Sequence, residues 1–383
     1  MRVQTTILTL LTLLATRATV ASPAPNVVER TLPTTTVTHQ VIFSPPSNAG
    51  WTDPRVLYAR AIELLDGTLL STWENYSPEP PLVYFPIYQS LDGGETWSEV
   101  GRVQDTVNNW GNRYQPFLYQ LPQAIGNYSR GTVLLAGNSL PTDLSQTKID
   151  VYASRDGGHT WEFASSVAQG GEGRPINGLT PVWEPLLMVY NDELICYYTD
   201  QRDPKYGQKL GHQTTKDLTT WSEPVDDVHE DSYSLRPGMP AIASLPDGNF
   251  VFAYEICGSG CNIHYRLGKD PLGMLNEPAY TLVSNKGTRP VSSPSVVWSS
   301  VGGENGSIIL TSGNQAEVFV NQKLGHPDAW FEYSTPQPKA YSRGLVLFHE
   351  DDTKMLMIGA GHLPPSTTNY VSVSVVDLKA MGL

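Results

Sequence analysis

Cysteine is scarce here, with three in 383 residues, and so is charge: Asp, Glu, Lys and Arg make up 16% of the chain, where soluble domains average about 25%. Three cysteines cannot build a disulfide framework, and no second pair has metal-ligand spacing, so neither a stapled scaffold nor a zinc or other metal site is expected. Basic residues are the scarcer charge, 25 Lys and Arg against 38 Asp and Glu, for a net −13. Such a surface repels phosphate backbones and anionic headgroups, which argues against nucleic acid and membranes as partners. Helical periods of any length are few, which argues against helical architectures. Beyond the N-terminus no apolar run approaches the ~18 residues of a membrane span.

The chain is instead 40% hydrophobic and 10% aromatic, enough for a large core, with 33 Gly and 30 Pro to punctuate short elements. Arg2, the apolar run Ile7 to Ala15 and small residues at Ala18 and Ala21 read as a secretory signal peptide over residues 1–21, followed by a leader over 22–35 and one domain over 36–383. A soluble, secreted monomer that needs no cofactor is expected. Asn75, Asn127 and Asn305 head glycosylation sequons. Cys257 and Cys261 enclose Gly-Ser-Gly and are expected to form a tight disulfide, while Cys196 sits in the apolar run Leu194 to Tyr198.

Repeats set the fold. Ser90-Leu-Asp92-Gly-Gly-Glu-Thr96-Trp97 recurs as Ser154-Arg-Asp156-Gly-Gly-His-Thr160-Trp161, and decayed as Thr215-Lys-Asp217 to Trp221. Asp-Gly-Gly suits a hairpin turn with glycines at positive φ, the Ser and Asp side chains bonding turn amides and the Trp packing between sheets. This is the Asp-box of sialidase-type β-propellers, a turn staple without chemistry, and the chain resembles that superfamily here. Between the boxes six apolar strands align, ending at Glu74, Asn138, Thr199, Glu255, Gly313 and Ala360. Each follows an inner strand, several opening with X-Pro: Gln115-Pro116, Glu184-Pro185, Met239-Pro240 and Ser293-Pro294. Without the leader about 59 residues remain per unit, the size of a four-stranded blade. The fold expected is all-β, a six-bladed propeller closed by pairing Thr36–Phe43 with the C-terminal strand around Val371–Val376.

In such blades the box turns mark the back face, and the front mouth collects inner-strand starts and second-strand ends. Glu74, Glu184 and Glu255 converge there, with Arg60, Tyr114, Gln115, Tyr341 and Arg343, while Trp183 and Tyr198 offer faces for sugar stacking. Crowded carboxylates repel one another, so one holds a raised pKa as an acid while another stays ionised, the requirement of glycoside hydrolysis. For any single Glu a rim salt bridge is the alternative.

Trp110-Gly-Asn-Arg-Tyr-Gln-Pro116 with its continuation to Pro122, Pro181-Val-Trp-Glu-Pro185, Ala253-Tyr-Glu255 and Ala340-Tyr-Ser342 together resemble the fungal exo-arabinanase family of glycoside hydrolases. The likeness runs over roughly residues 35 to 378. It implies a propeller that cuts α-1,5-linked L-arabinan from the non-reducing end with retention, releasing arabinobiose. It also implies that Glu184 and Glu255 are the catalytic glutamates and Tyr341 the active-site tyrosine. By superfamily geometry Glu255, oriented by Tyr341, is expected as nucleophile and Glu184 as acid/base.

Two other functions stay open on sequence. A sialidase would need three arginines clamping a substrate carboxylate, but Tyr58-Ala-Arg60-Ala departs from the usual first-arginine motif. The loop from Glu74 to Tyr84 also lacks the acidic Asp. A non-catalytic lectin would repeat its pocket in every blade, whereas these six front positions differ.

Overall fold

The computed structural model describes residues 36–47 and 50–383; the expected signal peptide and leader lie outside them. Among the described residues, strands assemble into six four-stranded antiparallel sheets, the blades of a propeller. Blade 1 runs from Val56–Glu63 through Leu69–Asn75 and Phe85–Ser90 to Ser98–Val103. The inner strands of blades 2 to 6 are Asn112–Gln120, Val182–Tyr190, Arg236–Ser244, Val296–Ser299 and Gly344–Leu347. Consecutive inner strands touch around a closed ring, blade 6 returning to blade 1, and enclose an axial cavity of about 390 Å³. One single-turn 3₁₀ helix, Met274–Asn276, interrupts the strands, and no described helix is long and apolar enough to cross a membrane.

Burial is sandwiched between blades, because each sheet is apolar on both faces. Leu70, Phe85 and Ile87 of blade 1 pack on Leu118, Val133 and Tyr152 of blade 2. Five comparable clusters fill the other seams, including blade 6 against blade 1 through Val56, Trp73, Leu356 and Val373. The Asp-boxes staple these seams. Gly94 donates to Ser90 Oγ (2.8 Å), Thr96 N to Asp92 (2.9 Å), and Trp97 Nε1 to Gly94 O (3.0 Å). The second box repeats each bond. The glycine requirement is steric as well as torsional: at Gly158 (φ 97°) a Cβ would stand 3.0 Å from Leu70 of the preceding blade. In the decayed box Leu218 takes the positive φ (61°) and Trp221 reaches Ser165 of blade 2 instead of a turn carbonyl.

The N-terminal strand Gln40–Phe43 pairs with Val371–Asp377 as the outermost strand of blade 6. That is the closure the sequence predicts, and it leaves blade 6 with strands from both ends of the chain.

Candidate active site

One irregularity recurs in every blade and builds the site. Tyr58, Gln115, Glu184, Met239, Ser293 and Ser342, each at the mouth end of an inner strand, have φ between 49° and 59°. Non-glycine residues reach that region at a cost of about 1–3 kcal/mol and hold it only where surroundings impose it. Strand register slips at the same points in blades 1 to 4, so these are bulges that turn an amide and a side chain toward the axis. Four of the freed amides are claimed by the blade before. Gln115 N donates to Glu74 Oε1 (2.9 Å), Glu184 N to Gln115 Oε1 (3.0 Å), Met239 N to Glu184 Oε2 (2.6 Å) and Ser293 N to Glu255 Oε2 (2.8 Å). The carboxylates thus fix the bulges and the bulges aim the carboxylates.

Glu74, Glu184 and Glu255 face one cavity of about 490 Å³, with Tyr114, Gln115, Trp183 and Tyr341 in its wall and Leu363 and Pro364 at its lip. The three residues are 3%, 9% and 8% exposed. Burial pushes Glu255 up to about 7, helped by the charge of Glu184 and opposed by the Ser293 amide. Burial likewise carries Glu74 to about 7 against the Tyr76 hydroxyl and Gln115 amide. Glu184 is raised by burial, while the Thr199 hydroxyl (2.5 Å) and the Met239 amide favour its ionised form. Tyr341 is kept neutral, its pKa driven well up by burial and then by the charges of Glu255 and Glu184. A cavity with several protonatable carboxyls, only part of them ionised at neutral pH, can donate a proton and present a carboxylate to one substrate.

Not every sequence candidate belongs to this wall. Tyr198 is fully buried in the seam between blades 2 and 3, its hydroxyl on Gln213, because its strand turns that side chain outward from the mouth. Arg343 is also fully buried, spending its guanidinium on the carbonyls of Ala316 and Glu317. Arg60 lies beneath the cavity, bonded to Ser342 and stacked 3.9 Å from the Tyr58 ring, and acts on the carboxylates only through its charge. The bulge residue of blade 1 is Tyr58, two positions before Arg60, so it is Tyr58 and not Arg60 that turns at the mouth.

The sequence missed Tyr76, Gln208 and above all Arg236, whose guanidinium lines the cavity. Arg236 stands three residues before the Met239–Pro240 step that marks the mouth, so the signal lay in reach of the X-Pro pattern. With Arg60 and Arg343 committed elsewhere, and Arg266 spent on the carbonyls of Met274, Leu275 and Glu277, no three-arginine clamp forms among the described residues. Cys257 and Cys261 are disulfide-bonded, and Cys257 Sγ lies 3.4 Å from Glu255 Oε1. Asn75 is 4% exposed at a strand end, whereas Asn127 sits on an exposed turn. Among the described residues no cluster of His, Cys, Asp or Glu could hold a metal ion.

Solved structures share this architecture. A GH93 α-L-arabinofuranosidase of Fusarium graminearum, in complex with arabinobiose, is 53% identical with a TM-score of 0.88, over 90% of this chain and 99% of that one. An α-L-arabinanase of Penicillium chrysogenum, also complexed with arabinobiose, is 50% identical with a TM-score of 0.87 over the same shares. A sialidase of Streptococcus pneumoniae is 13% identical with a TM-score of 0.59, over 89% of this chain and 70% of that one, a likeness of fold alone. Comparison with protein-family profiles and with curated proteins gave no match.

Proposed function

This chain belongs to glycoside hydrolase family 93, and from that premise we propose that it is a secreted, monomeric exo-arabinanase. It cleaves α-1,5-linked L-arabinan from the non-reducing end with retention and releases arabinobiose. The observation that carries the chemistry is the convergence of Glu184 and Glu255 in one cavity, both raised by burial and Glu255 further by the charge of Glu184. Burial and mutual repulsion keep one proton on the pair near neutral pH, and such a pair titrates as a unit. At rest the proton of the pair sits on Glu255, which the charge of Glu184 raises further. The reaction draws on the arrangement with that proton moved to Glu184, which then protonates the departing glycosidic oxygen while Glu255 attacks the anomeric carbon. A water, deprotonated by Glu184, then breaks the glycosyl ester from the same face, and two inversions leave net retention. Tyr341, its pKa driven well up by burial and by the charges of Glu255 and Glu184, is assigned the part of an orienting neighbour of Glu255, with the nucleophile of a sialidase as the alternative.

A second cavity of about 480 Å³ shares Tyr76 and Tyr114 with the first and is walled by Thr52, Ser77, Arg113 and Thr142. Hydroxyls, an arginine and aromatic faces in continuous line suit a chain of sugars better than a single ring. Glu184→Ala and Glu255→Ala are each expected to abolish turnover of linear arabinan. Azide is expected to rescue only Glu255→Ala, with an inverted glycosyl azide as product; such rescue of Glu184→Ala would exchange the two roles. A product profile on debranched arabinan beside a sialoside control tests the substrate, and sialic acid release with intact arabinan would overturn it.

A further inference from the structure

Arg236 is held in a way that ordinary structural arginines are not. Its Nη1 donates to Asn177 Oδ1 (2.8 Å) and its Nη2 to Gln201 Oε1 (3.0 Å) and Gln208 Oε1 (2.7 Å). Each of these amides is locked with its oxygen facing the guanidinium, because its NH₂ end is tied to a backbone carbonyl. Asn177 donates to Tyr233 O, Gln201 to Ile176 O and Gly207 O, and Gln208 to Pro237 O. Trp183, in the cavity wall, donates to the same Gln201 oxygen and braces it further. The cradle is assembled from the loop before blade 3, from blade 3 and from the first residues of blade 4. It orients a cation entirely with neutral dipoles.

No ion pair joins Arg236 to a carboxylate among the described residues, so its charge is not cancelled locally. It acts on Glu184 and Glu255, the two groups that raise its own affinity for protons against the effect of burial. The other charged or titratable groups facing the pair or sharing its cavity are Arg60, Glu74, Tyr58 and Tyr76 from blade 1, Tyr114 from blade 2 and Tyr341 from blade 6. Blades 2, 3 and 5 present the neutral Gln115, Thr199 and Ser293. Arg60 is turned to Ser342 and the Tyr58 ring beneath the cavity, which leaves Arg236 as the cation in the wall itself.

We propose that Arg236 is a positioning cation for the reaction, whose uncompensated charge keeps the Glu184/Glu255 pair singly ionised over the working pH range. One positive charge beside two carboxyls is balanced when one of them is ionised, the state in which one acts as acid and the other as nucleophile. A carboxylate in the cradle, the usual partner of arginine, would cancel that effect, which accounts for three amides in its place. The inference rests on Glu184 and Glu255 being the catalytic pair.

The test is the pH profile of kcat/KM on a linear arabino-oligosaccharide. A cation stabilises carboxylates, so its removal raises both apparent pKa values. Arg236→Gln is expected to move the whole bell alkaline by one pH unit or more, a tenfold or greater loss on the acid limb. Arg236→Lys is expected to keep the position of the bell although it loses the forked contacts. Gln208→Glu, which keeps Arg236 but neutralises it, is expected to move the bell in the same direction and serves where Arg236→Gln folds poorly. An unmoved bell in both Arg236→Gln and Gln208→Glu overturns the proposal. A tenfold rise in KM with an unmoved bell would make Arg236 a substrate ligand. If Glu184→Gln and Glu255→Gln retain turnover, the catalytic pair itself is misassigned, a failure distinct from an unmoved bell in otherwise active Arg236 variants.

Discussion

At Glu255 the demands of chemistry and stability oppose each other. Burial, then the charge of Glu184, lifts its carboxyl to about 7 from an ordinary 4.5. Between those values the folded protein keeps a proton that the unfolded chain has released. The group's contribution is therefore present below pH 4.5 and lost as pH climbs through 7, by roughly 3 kcal/mol when ionised. Glu255→Gln, which accepts the Ser293 amide without ionising, is expected to melt several degrees above the parent at pH 8 and level with it at pH 4. Equal melting at both pH values would show that the carboxyl titrates normally. Two residues on, the Cys257–Cys261 bridge closes too small a loop to add much global stability. With Cys257 Sγ against Glu255 Oε1, its role is local. Cys257→Ser with Cys261→Ser is expected to lower kcat severalfold while the melting temperature stays within about a degree, since a site loses rate when its carboxylate is loosely held. A large drop in melting temperature at normal kcat would make the bridge structural.

Among elements, Asp-boxes and mouth bulges divide the labour between back and front. Asp92 and Asp156 each gather a Ser hydroxyl, a Thr hydroxyl and a Thr amide in a turn remote from the cavity. Asp92→Ala or Asp156→Ala is expected to cost about 1–3 kcal/mol, read as a lower melting temperature, with kcat unchanged. A fall in kcat at unchanged stability would mean that the boxes reach the site. The boxes were legible because turn chemistry is written in consecutive residues. The bulges were half legible: X-Pro marks Gln115, Glu184, Met239 and Ser293, but Tyr58 and Ser342 precede alanine and arginine, and in blade 1 Arg60 stood for the mouth residue that is Tyr58. Nothing local distinguishes Arg60, two residues past the bulge, from a mouth residue, since side-chain direction flips with each step along a strand.

For the whole molecule, the ring is closed by the strand that starts the described chain. Gln40–Phe43 covers the edge of Val371–Asp377, and Phe43 stacks on Trp73 of blade 1 at 5.3 Å. Without it the last blade presents an unpaired edge and the blade 6–1 seam loses part of its cover. Protein beginning at residue 45 is expected to melt at least 5 °C below protein beginning at residue 36, and to be nicked by protease first in blade 6. Equal melting and equal protection would show that three strands suffice to seal the ring.

The sequence by itself determined the blades: apolar strands in six aligned units, box turns, and a spare strand at each end state the propeller without any long-range information. It also placed Glu74, Glu184, Glu255 and Tyr341 at one mouth, because strand ends of a repeat must lie on the same rim. Only the tertiary structure decided which arginine enters the wall. Arg236 is distinguished from Arg60, Arg266 and Arg343 by its partners Asn177, from the loop before blade 3, and Gln201 and Gln208, from the two ends of the loop between its second and third strands, which meet Arg236 only when blades 3 and 4 pack. A guanidinium left free to act on carboxylates and one spent on backbone carbonyls are the same residue in sequence; the difference is the neighbours that packing supplies.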